Sequence, residues 1–269
     1  MKVVLFCGGL GLRIRDAEDL PKPLVQIGQW PLLWHVMKYY AHFGHRDFIL
    51  CLGYRADAIK SYFLKHNETI ANEFARSGGS RELERMSRDV QDWRITFADT
   101  GVLSNIGQRL KAAQKYLEGE DEFLANYSDG LTDLALPEQL EHFRRHDKVA
   151  SFLCVRPNLT YHVVSLQPGT DLVCDIHPID NGDVRINGGY FIFKKEIFDY
   201  MREAEELVEQ PFRRLAQDRQ LLGYTYNGFW ASMDTMKDKQ QLETLYATGA
   251  APWELWKLDE QAKLRAQAH

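Results

Sequence analysis

Residues 1–24 read MKVVLFCGGLGLRIRDAEDLPKPL. Val3–Cys7 is a short unbroken apolar run, the mark of a strand buried on both faces. It runs straight into a glycine-rich turn at Gly8, Gly9, Leu10 and Gly11. Glycine tolerates positive φ and lets backbone N–H groups approach an anion closely, which suits a polyphosphate. Two common phosphate motifs do not fit. A P-loop needs Gly-Lys-Ser/Thr after its last glycine, and Leu12-Arg13 stands there instead; a dinucleotide fingerprint needs a glycine where Ile14 is. The stretch does supply two cations. Arg13 follows the turn, and Lys22 stands between Pro21 and Pro23, whose rings restrict the backbone beside it.

Working outward, strand and helix signals alternate. Pro31–Gly44 has helical apolar spacing with Pro early and Gly at its end. A buried strand from Asp47 ends at Gly53, and Ala56–Leu64 reads as a helix. WRITFADTG gives a third strand ending at Asp99, Gln108–Leu117 a helix, and EFLANYSDG a fourth strand ending at Asp129. This alternation predicts an α/β fold: a Rossmann-like mixed, mostly parallel sheet flanked by helices. In such sheets ligands bind outside the carboxyl ends of the strands. Gly8–Gly11, Gly53, Asp99–Gly101 and Asp129–Gly130 all fall at such ends.

A polar, charge-rich segment at 65–92 interrupts the pattern and is read as an insertion, either a lid or an arm toward a neighbouring subunit. Beyond about residue 150, VASFLCVRP, HVVSLQP and GGYFIFKK read as strands, DVRING as a turn and Glu203–Gln217 as largely helical. The expected organisation is one unit over 1–269. It comprises a nucleotide-binding half (1–135, with the insertion), an acceptor-binding half (136–238) and a polar helical tail (239–269).

Composition narrows the classes. A net charge of −5 without a basic stripe argues against nucleic-acid binding. No apolar stretch approaches the roughly 20 residues that span a bilayer, and the first strand leads into no signal-peptide cleavage region, so a cytoplasmic protein without a membrane partner is expected. Cys7, Cys51, Cys154 and Cys174 show no metal-site spacing, and the first three, each in an apolar run, read as buried free thiols.

Two acids at strand ends complete the chemistry. Asp129 ends ANYSDG, and Asp234 lies in GFWASMDT. Together they could share a hard divalent cation, which takes oxygen ligands; each could instead cap a turn or helix. His35 and His42 read as structural, Trp230, Trp253 and Trp256 as packing of the C-terminal helices, and Arg81–Arg88 as a solvated face.

GGxGxR followed by PKP resembles the signature of sugar-phosphate nucleotidyltransferases. PLLWHVMKYY, FILCLGY, WRITFADTG, QRLK, INGGYF, GFWASMDTMKDKQQLETLY and APWELW are similar to the glucose-1-phosphate cytidylyltransferase branch, from Met1 to about Trp256. That resemblance implies Mg²⁺-dependent transfer of CMP from CTP to a sugar 1-phosphate, with pyrophosphate released. It implies that Gly8–Arg13 and Lys22 hold the phosphates, with Arg13, Lys22 and Asp129 catalytic. Gly53, Asp99, Thr100 and Arg109 would surround cytosine and ribose, with Ser128 nearby. Asp129 and Asp234 would hold Mg²⁺, and Asn187 and Gly188 would meet the sugar phosphate. Because the branch's insertion can reach a neighbouring site, a homo-oligomer is expected.

Several positions depart from the branch. Leu12 replaces a small hydroxylated residue and Ser128 a glycine. At the acceptor side, Ile176-His177-Pro178 replaces Glu-Lys-Pro, Tyr161-His162 an aromatic-Gly pair, and Gln210-Pro211 Glu-Pro. These changes leave open a different phosphorylated sugar or polyol as acceptor. UTP or dTTP as donor, or a non-catalytic nucleotide-binding member, are the remaining alternatives.

Overall fold

The computed structural model describes residues 1–9, 20–64, 92–157, 161–179 and 184–257. The opening apolar run forms β1 (Lys2–Phe6) at the heart of an eight-stranded sheet. Val3, Leu5 and Cys7 enter one core and Val4 and Phe6 the other, so both faces are buried as the unbroken run requires. After the short hairpin β2 (Gln26–Ile27) and β3 (Trp30–Pro31), α1 (Leu32–His42) begins at Pro31. The chain leaves α1 through Gly44, whose φ of 86° is left-handed.

β4 (Asp47–Leu52) pairs parallel with β1, and after α2 (residues 56–64) β5 (Arg94–Asp99) pairs parallel with β4. α3 (Ile106–Ala113) starts two residues before the expected helix because Asn105 forms a capping box with Gln108. β6 (Glu122–Tyr127) pairs parallel with β1 on its other side. The first half is thus the parallel, helix-covered sheet that the alternation predicts.

The second half adds antiparallel strands to the same sheet. Following β7 (Gly130–Thr132) and α4 (Leu136–His146), β8 (Ala150–Val155) leads to a separate two-stranded ribbon, β9 (His162–Leu166) and β10 (Val173–Pro178). β11 (Ile186–Asn187) pairs with β8, whereas DVRING was expected to be a turn throughout. β12 (Phe191–Lys194) lies antiparallel between β6 and β8.

The helix expected over Glu203–Gln217 is shorter: α5 spans Gln210–Gln217. Pro211, without an N–H, fits only the first turn. Upstream, Ala204 has φ 61°, and Arg214 donates to the Tyr200 carbonyl while pairing with Glu205, which fixes a turn instead. β13 (Leu221–Thr225) joins the sheet beside β8, and β14 (Trp230–Ser232) pairs with β7.

Of the polar helical tail expected over 239–269, residues 258–269 lie outside the described residues, and the part before them is helical only in places. α6 (Met236–Ala247) stops at Gly249, φ 69°, and the chain then returns to the core. Trp253 is 1% exposed and donates its indole N–H to His35 Nδ1 at 3.3 Å. His35 in turn donates Nε2–H to the Ile27 carbonyl at 3.0 Å, and burial lowers its pKa to about 4. Trp256 meets Trp34 edge-on. The four cysteines are free thiols, and among the described residues no helix is long and apolar enough to cross a membrane.

Candidate active site

Asp129 and Asp234, far apart in sequence, are joined by the β7–β14 ladder. Ser232 stands opposite Gly130, and one step further the Met233 N–H donates to the Asp129 carbonyl at 2.9 Å. Antiparallel pairing therefore delivers both acids to one end of the ladder. The other end is pinned: Asp133 accepts the Phe229 N–H at 2.8 Å and the Tyr226 hydroxyl, and the Thr132 hydroxyl donates to the Phe229 carbonyl.

Lys22 closes the cluster. It opens a single helical turn, Lys22–Leu24, entered through extended Pro21 and anchored by buried Pro23 and Leu24. Its ammonium lies 2.7 Å from Asp129 Oδ2 and 2.8 Å from Asp234 Oδ1. Burial works against its charge, but the two carboxylates outweigh that, and its pKa is raised. A compact cation thus already contacts one oxygen of each acid. Oxygen donors converging at this spacing suit a hard divalent ion that keeps several waters. Among the described residues no group of three or more His, Cys, Asp or Glu gathers that could hold a metal.

Asp234 is held on two further sides. The Ser232 hydroxyl donates to its Oδ2 at 2.8 Å, and its backbone N–H donates to Asp238 Oδ2 at 3.0 Å. The same Asp238 oxygen accepts the Thr235 N–H at 2.7 Å, while the Thr235 hydroxyl accepts the Asp238 N–H. Ser232 and Asp238 escaped the sequence reading. The T-x-x-D spacing directly after Asp234 is a capping-box signal that could have found Asp238.

Where the sequence leads one to expect the nucleotide, the ends of β1, β4 and β5 meet at Arg109, which is 2% exposed. Its Nη1 donates to Thr100 Oγ1 at 2.8 Å and the Leu52 carbonyl at 3.3 Å; its Nη2 donates to the carbonyls of Gly8 (2.9 Å) and Val102 (3.3 Å). Desolvation lowers the guanidinium's pKa. Arg109 therefore sits beneath the strand ends as a bracket, with these four hydrogen bonds committed to the protein. Gly8 and Gly53 are required by it, since a Cβ on Gly8 would fall 1.9 Å from Arg109 Nη1 and one on Gly53 2.9 Å from the same atom. Gly9 is exposed, and among the described residues nothing stands within 4 Å of where its Cβ would be. Thr100 is buried, its hydroxyl donating to the Leu52 carbonyl. Asp99 is exposed and accepts the Gly101 N–H. The Ser128 hydroxyl is taken by the Phe6 carbonyl at 2.9 Å. Leu10, Gly11, Leu12 and Arg13, and the insertion, lie outside the described residues.

Among the residues expected to meet the acceptor, Asn187 donates Nδ2–H to the Tyr127 hydroxyl at 3.3 Å and accepts the Gly189 N–H, which orients its amide. The Gly188 carbonyl accepts the Trp230 indole N–H at 2.9 Å, and a Cβ on Gly188 would stand 3.1 Å from that nitrogen. Trp230 thus belongs to this end of the molecule and not to the C-terminal packing that Trp253 and Trp256 form. Tyr161 and His177 lie on the ribbon; His177 is half-buried, and Tyr161 is exposed. Gln210 is exposed at the first turn of α5 beside Glu209.

The chain is 34% identical over 258 residues to the glucose-1-phosphate cytidylyltransferase of Salmonella typhi, covering 95% of this chain and 100% of that protein. It is 32% identical over 259 residues to a probable glucose-1-phosphate cytidylyltransferase of Bacillus subtilis, with the same coverages. Among solved structures, a UTP-bound UGPase from Acinetobacter baumannii superposes with a TM-score of 0.69 at 15% identity, covering 98% of this chain and 99% of that one. This last likeness concerns the fold alone. No family model matches the chain.

Proposed function

The chain belongs to the glucose-1-phosphate cytidylyltransferase family, and from that premise we propose that it transfers CMP from CTP to a sugar 1-phosphate, forming a CDP-sugar and releasing pyrophosphate. The observation that carries the reading is the Lys22 ammonium bridging Asp129 and Asp234 at the carboxyl edge of the sheet. That edge is where an α/β sheet receives its ligand.

The chemistry asks little of side chains as acids or bases. A phosphate monoester has its second pKa near 6, so the acceptor arrives with nucleophilic oxygens. One of them attacks the α-phosphorus of CTP in line, a new P–O bond forms, and the α–β bridging oxygen leaves with its electron pair on pyrophosphate. The protein positions the two phosphates and neutralises charge. Asp129 and Asp234 would hold Mg²⁺, which when bound supplies charge neutralisation at the phosphates. Lys22, with Arg13, would neutralise the leaving pyrophosphate. Gly8, Gly9 and the adjoining turn would offer backbone N–H groups. Arg109 and Thr100 would floor the base pocket, and Asn187 and Gly188 would meet the acceptor. A cytoplasmic setting and a homo-oligomeric state are part of this reading.

The acceptor is glucose 1-phosphate or a related phosphorylated sugar or polyol. The purified protein is to be given CTP, UTP or dTTP with Mg²⁺ and a panel of phosphorylated acceptors, with pyrophosphate release as the readout. CTP is expected to outperform the other two nucleotides. Release with no acceptor in the panel would rule the reading out.

A further inference from the structure

Between β11 and β12 the chain that carries Asn187 does not run straight. Asn187 stands opposite Cys154 and Ile192 opposite Ser151, so the four residues 188–191 face only Phe152 and Leu153 of β8. A bulge of this kind bends its strand and re-aims side chains beside active sites. It is tied to β8 at its neck: the Gly188 N–H donates to the Leu153 carbonyl at 2.8 Å, and the Leu153 N–H donates to the Gly189 carbonyl at 2.9 Å.

Two consecutive residues of the bulge are left-handed, Gly189 at φ 76° and Tyr190 at φ 49°. Glycine takes the first without steric cost, and a Cβ there would stand 2.5 Å from Asn126 Oδ1. A bulky side chain at such a φ is an outlier that persists only where its surroundings over-determine it. Tyr190 is held at every polar group. Its N–H donates to Asn126 Oδ1 at 3.0 Å, its carbonyl accepts the Gln139 Nε2–H at 2.8 Å, and its hydroxyl donates to the Gly130 carbonyl at 2.9 Å. Its ring, 1% exposed, meets Tyr39 edge-on and stacks on Tyr40. Burial pushes the phenol's pKa up, so the hydroxyl stays a donor.

The hydroxyl bond joins two parts of the site. The Met233 N–H donates to the Asp129 carbonyl, which makes Asp129 and Met233 a hydrogen-bonded pair of the β7–β14 ladder. Gly130 and Ser232, next along, are then the pair that exchanges no ladder bonds. The Gly130 carbonyl therefore turns out of the ladder, where the Tyr190 hydroxyl meets it. The residue whose backbone shapes the bulge beside Asn187 thus also holds the peptide that follows Asp129. β6 braces the bulge with two successive residues: Asn126 accepts the Tyr190 N–H, and the Tyr127 hydroxyl accepts from Asn187.

We propose that Tyr190 is a positioning residue: its left-handed backbone aims Asn187, its hydroxyl fixes Asp129, and one residue so sets the spacing between the two. This rests on the function proposed above, which gives Asn187 to the acceptor and Asp129 to the metal. The strain at Tyr190 is kept because glycine, which would relieve it, has no hydroxyl to reach Gly130 and no ring to lodge against Tyr39 and Tyr40.

The test is steady-state kinetics and thermal melts on the full-length protein, Tyr190→Phe and Asn126→Ala. Tyr190→Phe removes only the hydroxyl. It is expected to lower kcat at least fivefold and raise the Mg²⁺ concentration for half-maximal turnover at least threefold, with the Kd for CTP measured without Mg²⁺ changed less than twofold. Asn126→Ala frees the Tyr190 N–H and is expected to raise the acceptor KM at least fivefold. A Tyr190→Phe protein with unaltered kcat and Mg²⁺ requirement overturns the proposal, however far its melting temperature falls, since a structural role alone moves only the melt. An Asn126→Ala protein with an unaltered acceptor KM overturns it as well. If either variant fails to fold, the other decides. Should wild type release no pyrophosphate with any acceptor, the functional reading fails by itself, and Mg²⁺ titration of the melting temperature still reads the tie to Asp129. A threefold higher Mg²⁺ requirement in Tyr190→Phe then supports that tie, and an equal requirement overturns it.

Discussion

The carboxylate of Asp238 accepts the backbone N–H of Asp234 at 3.0 Å, so the residue that completes the capping box of α6 with Thr235 also sets where a candidate metal ligand stands. Asp238→Ala is expected to act twice. Loss of its half of the capping box, the hydrogen bond from the Thr235 N–H, should destabilise the protein by about 1 kcal/mol. Displacement of Asp234 should raise the Mg²⁺ concentration for half-maximal turnover several-fold. Thermal melts and Mg²⁺ titrations of pyrophosphate release separate the two effects. A variant with a lower melting temperature but an unchanged Mg²⁺ requirement would leave Asp238 a helix cap only.

Lys22→Met removes the cation between Asp129 and Asp234 and leaves two carboxylates facing each other. By analogy with other preorganised charge-stabilising groups, turnover should fall on the order of 10²–10³-fold. In the resting protein, Mg²⁺ should raise the melting temperature of the variant more than that of wild type, because only the variant lacks a cation there. Equal Mg²⁺ shifts in the two proteins would contradict this.

Arg109→Met removes the guanidinium that donates to Thr100 and to the carbonyls of Gly8, Leu52 and Val102, although Gly8 keeps the Tyr54 N–H and Leu52 keeps the Thr100 N–H and hydroxyl. The expected loss is about 2 kcal/mol, that of hydrogen bonds from a charged donor given up where most of the acceptors keep another partner. Gly8→Ala should approach the same loss from the other side of the contact, because its Cβ would meet the guanidinium. Denaturant melts read both. If the losses add fully in the double variant, the two residues do not share one strained contact.

His35 gives the fold a pH dependence. Its pKa in the folded protein is about 4, lowered by burial from an ordinary 6.5, so the unfolded chain binds a proton that the folded one refuses. Its stabilisation is present in full above pH 6.5 and is lost as pH falls toward 4. His45, also lowered to about 4, acts in the same direction. His35→Gln should reduce the slope of stability against pH by roughly 1 kcal/mol per unit between pH 4.5 and 6. Urea melts across that range test it; an unchanged slope would mean that His35 titrates normally.

Much of this was legible in the sequence because it rests on period and punctuation. The unbroken apolar run at Val3–Cys7, and the alternation that follows it, predict a parallel sheet. Pro21 and Pro23 mark Lys22 as a held cation, and Asp129 and Asp234 stand out as acids ending apolar strands. What was not legible depends on partners distant in the chain. An arginine reads as a solvent or ligand group, and nothing near Arg109 reveals that carbonyls from three strands will enclose it. Trp230 resembles Trp253 and Trp256 in composition, yet the β7–β14 pairing carries it to Gly188 instead. The helix at Glu203–Gln217 was overextended because its apolar spacing outlasts its backbone, which Ala204 and Pro211 interrupt.

Lys22 and Asp129 lie 107 positions apart, and Lys22 and Asp234 lie 212 apart. A chain emerging from the ribosome folds from its N-terminus at about 5–20 residues per second. Most of the parallel sheet can therefore assemble several seconds before β14 exists to pair with β7. A nascent chain at that stage has its lysine and its first aspartate but not its second. The acidic pair is thus among the last features to be completed during synthesis, and chains truncated before Asp234 would be born without it.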